Sequence, residues 1–176
     1  STKTSMDAVR RAKEEISFGD TTEGFDCSVE VTPHHLGLVG TDAPNLRALV
    51  NPPLRSEDDR RALIEALRDG TVDVIATDHA PHTQEDKAAG SPGFTGLETA
   101  FAVCNTILVK KEGFSLSKLS KLMSDNPAKL LRLKSGRLAV GYNADLVLVN
   151  PDENWIVNSE NFKRCWEGAF SSGVLP

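Results

Sequence analysis

The chain has 176 residues, 39% of them hydrophobic and 26% charged, with a formal net charge of -5. That is a globular composition, sized for one domain or a domain with a small appendage. The acidic balance argues against nucleic acid or an anionic lipid surface as partner, and no apolar run approaches the ~20 residues that span a bilayer.

Met6, Val9 and Ile16 form a partial apolar stripe, so residues 5–16 read as a helix with Ser5 as its N-cap. Cys27–Thr32 is short, alternating and β-branched, a strand that Pro33 ends, followed by a polar loop to about Arg55. Ser56 then caps a helix whose acidic first turn suits the helix dipole, whose buried stripe is Ala62, Leu63, Ala66 and Leu67, and which Gly70 stops. Val72–Thr77 is a second strand, and a long loop runs from Asp78 to Gly96. Helices are expected over 97–111, 116–123 and 127–133. Beyond Gly136 the texture changes, and Asp145–Val149 reads as a strand of a second, β-rich module. Alternating helices and strands predict a parallel α/β architecture, with chemistry where strands end and loops begin. Two strands cannot close a (β/α)8 barrel, which takes about 250 residues.

Cys27, Cys104 and Cys165 are odd in number, far apart and without a CxxC pair, which suits free thiols in a reducing cytosol. There is no apolar leader and no initiator Met, so the gene is expected to start upstream of Ser1.

Three clusters can carry chemistry. In Thr77-Asp78-His79-Ala80-Pro81-His82 an apolar strand delivers a carboxylate to its mouth, fit to bind a metal or move a proton. Asp78 and His79, being sequential, point to opposite faces, and His82 can turn back over the mouth. Asp78 capping a turn between surface histidines is an equal alternative. His34 and His35 follow the first strand, but no acid or thiol lies at ligand spacing, so a structural role is favoured. In Asn51-Pro52-Pro53-Leu54-Arg55 two prolines stiffen a loop. Asn51 could offer its amide, and Arg55 its fork to a carboxylate or merely a surface charge.

These segments, with Glu30–Leu36, Gly96-Leu97-Glu98-Thr99-Ala100 and Gly141–Val147, resemble the dihydroorotase family of the amidohydrolase superfamily, in its longer bacterial type, over nearly the whole chain. The resemblance implies part of a TIM-like (β/α)8 metal-dependent hydrolase barrel, its last strands and helices, over residues 1–134, and part of a small composite β-sandwich over 135–176. Cys27–Thr32 becomes barrel strand seven and Val72–Thr77 strand eight. Asp78 matches the aspartate that ligates zinc and acts as general base, later returning its proton to the leaving amide nitrogen. Asn51 and His82 match substrate-binding positions, His82 toward the carboxylate, and Gly93 and Phe94 match backbone contacts to the ring. The reaction implied is the zinc-dependent interconversion of dihydroorotate and N-carbamoyl-L-aspartate in pyrimidine biosynthesis.

The family's HxH pair, its bridging lysine or aspartate and two further histidines are missing from this sequence. One carboxylate cannot hold a zinc that takes three or more protein ligands. The implied one or two zinc ions therefore draw most ligands from the remainder of the polypeptide, and the isolated chain is expected to be inactive. A homodimer and association with aspartate transcarbamoylase are partners the resemblance allows. Two other readings stay open: a dihydropyrimidinase, hydantoinase or allantoinase-type cyclic amidase, and a non-catalytic dihydroorotase-like subunit that scaffolds aspartate transcarbamoylase.

Overall fold

A computed structural model describes residues 1–18, 27–42, 49–93, 95–158, 162 and 172–173. Its centre is a parallel pair of strands, β1 (Glu30–Val31) and β2 (Val74–Ile75), with Glu30 opposite Val74 and Val31 opposite Ile75. The pairing is as the sequence predicts, but the ladder is shorter than the expected 27–32 and 72–77. Beyond it the connection continues as single bonds, Asp73 N–H to the Val29 carbonyl (2.9 Å) and Ala76 N–H to the Val31 carbonyl (3.0 Å). Val72, Val74 and Ile75 are all buried, as expected of a parallel strand covered on both faces.

Helix α1 (Lys3–Phe18) lies against the later helix α3 (Glu57–Asp69). It begins earlier than expected because Thr2, not Ser5, caps it: Thr2 Oγ1 accepts the Ser5 N–H at 3.1 Å. The "loop" after β1 is partly helical. Thr32 caps α2 (Pro33–Gly37), with Pro33 at a helix start where its missing N–H costs nothing, and a 3-10 turn follows at Gly40–Asp42. α3 is as read, with Ser56 accepting the Asp59 N–H and Gly70 leaving in a left-handed conformation (φ 87). Its stripe is Leu63, Ile64, Ala66 and Leu67; Ala62 is only half-buried.

The 78–96 segment also holds an unexpected helix, α4 (Gln84–Ala88), opened by a reciprocal capping box between Thr83 and Asp86. α5 (Ala100–Cys104) runs on through a π-helical stretch, Asn105–Lys111. The two predicted helices after it are one: α6 (Leu116–Ser120), a π turn (Lys121–Asp125) and α7 (Asn126–Leu130). The wide turn lets Asn126 N–H reach the Lys121 carbonyl just ahead of Pro127, which has no N–H to place. Core side chains from α1, α2, α3, both strands, α5 and α6 meet around Leu36, Leu67, Leu108 and Leu119.

The strand expected at 145–149 pairs with nothing among the described residues, and Val147 and Leu148 are 85% and 102% exposed. A strand needs a neighbour to satisfy its backbone, and none of the described residues supplies one. The later chain forms instead an antiparallel pair, β3 (Val157–Asn158) with β4 (Ser172–Gly173). No described helix is long and apolar enough to cross a membrane.

Candidate active site

The two ends of the strand pair differ in kind. At the entering end Lys13 Nζ donates to the Asp73 carboxylate at 2.7 Å and to the Thr71 carbonyl at 2.9 Å, while Asp73 accepts the Val29 N–H at 2.8 Å. At the leaving end stand Asp78, the α2 histidines, the Asn51–Arg55 loop and the 82–93 segment.

Asp78 follows β2 by three residues and holds a left-handed backbone, φ 49, with its side chain exposed. Aspartate is one of the few residues that tolerate this region. His79 faces away from metal duty: its Nδ1 accepts the N–H groups of Gly96 (3.0 Å) and Leu97 (3.3 Å), tying the strand exit to the turn before α5. That turn is tight, since a Cβ on Gly96 would stand 2.9 Å from the Thr77 carbonyl oxygen.

His34 and His35 are buried, with ring centroids 4.6 Å apart. Burial, helped by the neighbouring His35, pushes His34 down to about 3 and keeps it neutral. Burial also lowers His35, against the hydrogen bond to Pro52. The Pro52 carbonyl can only accept, so His35 Nε2–H donates to it at 3.0 Å, and Nδ1 then accepts the Thr32 hydroxyl at 2.6 Å. His35 thus joins the end of β1 to the loop that presents Asn51, which is exposed and precedes a cis Asn51–Pro52 bond. Arg55 is exposed before α3.

His82 Nε2–H donates to the Pro92 carbonyl at 2.9 Å. Gly93 is buried at φ 140, and a Cβ there would meet the Ala80 carbonyl oxygen at 2.5 Å, so the close approach of these two segments requires glycine. Its N–H donates to the Leu49 carbonyl at 2.9 Å. Phe94, the remaining candidate, lies outside the described residues. Sequence reading missed Lys87, whose Nζ lies 3.0 Å from the carbonyl oxygens of Leu49, Ser91 and Gly93, and the linking role of His35. A capping pattern, Thr83 with Asp86 and Thr32 with Pro33, marks the short helices that carry them, but not the carbonyls they bond.

Asp78 is chemically able to give one oxygen ligand or to accept a proton. Among the described residues no three His, Cys, Asp or Glu side chains converge to hold a metal ion, so these residues fit one ligand's share of a metal centre and no more. Cys104 is no candidate: burial pushes its thiol up to about 12. A cleft of about 630 Å³ lies elsewhere, between α5 and residues 149–155, lined by Phe101, Asn105 and Trp155 and by none of the residues at the strand exits.

The amidohydrolase family profile matches residues 4–175. The dihydroorotase of Clostridium botulinum is 48% identical over 162 residues, 92% of this chain and 38% of that protein. That of Bacillus caldolyticus is 46% identical over 168 residues, 92% of this chain and 38% of the relative. Among solved structures, an L-hydantoinase (dihydropyrimidinase) from Arthrobacter aurescens superposes with a TM-score of 0.87 at 29% identity, covering 98% of this chain and 39% of that one. A dihydroorotase from Saccharomyces cerevisiae in complex with 5-fluoroorotic acid gives 0.62 at 19% identity over 76% of this chain and 36% of that one, a likeness of fold. The chain spans less than two-fifths of the length of these curated relatives. The paired strands and the helices around them are part of a TIM-like metal-hydrolase barrel, and the chain belongs to the amidohydrolase family.

Proposed function

We propose that this chain is part of a dihydroorotase, the enzyme that interconverts dihydroorotate and N-carbamoyl-L-aspartate. The observation that carries the reading is the 48% identity to a protein of that name across 92% of this chain, the stretch that includes the strand exits. Residues 1–134 then belong to the barrel and 135–176 to a β-sandwich, in a cytoplasmic protein that holds one or two zinc ions.

Asp78 supplies one ligand and the proton relay. When bound, the metal lowers the pKa of water and polarises the scissile carbonyl. Asp78 takes the proton that the attacking water loses and returns it to the amide nitrogen as the ring opens. Asn51 and the Gly93–Phe94 backbone hold the ring. His82 holds the substrate carboxylate. With its Nε2–H given to the Pro92 carbonyl, Nδ1 is the ring nitrogen left to meet the substrate.

The superposition on an L-hydantoinase favours, as a second reading, a sister cyclic amidase. Turnover of dihydroorotate, dihydrouracil and hydantoin by the complete zinc-loaded polypeptide separates the two. Preference for dihydroorotate supports the first reading, and preference for either neutral ring overturns it. Metal-free co-purification with aspartate transcarbamoylase and no turnover would instead make the protein a scaffold.

A further inference from the structure

Lys87 sits on α4 with its stem half-buried, and three carbonyl oxygens lie 3.0 Å from its Nζ: those of Leu49, Ser91 and Gly93. An ammonium carries three N–H donors, enough for one to each of these carbonyls. The three acceptors belong to two separate stretches of chain. Leu49 precedes Asn51 by two residues, and Ser91–Gly93 is the loop whose Pro92 carbonyl receives His82. The Leu49 carbonyl is shared, accepting both the Lys87 ammonium and the Gly93 N–H. α4 is opened by its own capping box, so the lysine is presented from a hydrogen-bonded helical turn.

We propose that Lys87 is a positioning residue for substrate: its ammonium sets the spacing between the loop that carries Asn51 and the loop that carries Gly93, and through Pro92 the aim of His82. The proposal rests on the reading of these residues as the substrate wall. Among the described residues the charge is received by carbonyl dipoles. Arginine does not reproduce it, because a planar fork spreads its donors instead of converging them on three points. Methionine keeps the stem and the helix but takes the ammonium from all three carbonyls, leaving that of Leu49 only the Gly93 N–H.

The test uses the complete enzyme with Lys87→Met and Lys87→Arg, kinetics on dihydroorotate, and hydrogen exchange of the peptides spanning 49–53 and 88–93. In Lys87→Met, KM should rise about tenfold or more while kcat stays within about threefold, because ring positioning and not proton transfer is lost. Both peptides should exchange faster, and Lys87→Arg should fall between the two proteins. A lower melting temperature with unchanged KM and unchanged exchange in both peptides would overturn the proposal and leave Lys87 a stabilising residue only. The exchange readout does not depend on substrate identity. If the parent enzyme ignores dihydroorotate, the function reading fails while the junction is still judged.

Discussion

Asp78 combines an unusual backbone with the side chain proposed to relay the proton, which makes its substitutions unequal probes. Asparagine tolerates φ 49 as well as aspartate does, so Asp78→Asn in the complete enzyme should fold normally yet lose turnover by orders of magnitude. Near-normal turnover at unchanged melting temperature would remove it from proton transfer. His82→Ala should raise KM more than it lowers kcat, as steady-state kinetics would reveal. His34 gives a pH signature. Its folded value of about 3 lies below the ordinary 6.5, so below pH 6.5 the unfolded chain takes up a proton that the folded chain refuses. Stability therefore falls as pH drops from 6.5 toward 3, by up to ~1.4 kcal/mol per pH unit from this group, and His34→Gln should flatten that slope in pH-dependent denaturation. Asp78 and His82 were legible as candidates because an apolar strand led into them. His35 was not, because its work is done by a carbonyl seventeen residues away, which no local pattern encodes.

At the scale of elements, punctuation was the readable part. Ser56 and Gly70 bound α3 where the sequence put them, since a side-chain cap and a left-handed exit are local devices. Ser56→Ala should cost about 1 kcal/mol in chemical denaturation of the complete protein and leave kinetics alone. What could not be read was the run from Leu116 to Leu130 as one rod. Pro127 signals a break, and only the π turn before it, set by packing, turns the break into continuity. The short helices α2 and α4 were hidden for another reason. Each spans five residues, too few to develop an apolar period, although Pro33 and the Thr83–Asp86 box marked their starts.

For the molecule as a whole, the sequence predicted strand adjacency and direction but not how little ladder two strands form together. It also could not show that the apolar run at 146–149 would be left in water among the described residues. An apolar surface of that kind invites contact. The 176-residue chain purified alone should bind a hydrophobic dye and sediment as more than a monomer, and a monomer that excludes the dye would contradict this. The Lys13–Asp73–Val29 junction lies at one end of the strand pair and Asp78 at the other, so a few residues of β2 separate two kinds of tolerance. In a saturation library scored first for protein abundance and then for growth dependent on the enzyme, positions 13, 29 and 73 should be depleted in the first screen. Positions 78 and 82 should pass it and vanish only in the second, so that one strand would carry, end to end, the boundary between what lets the protein persist and what makes it worth keeping.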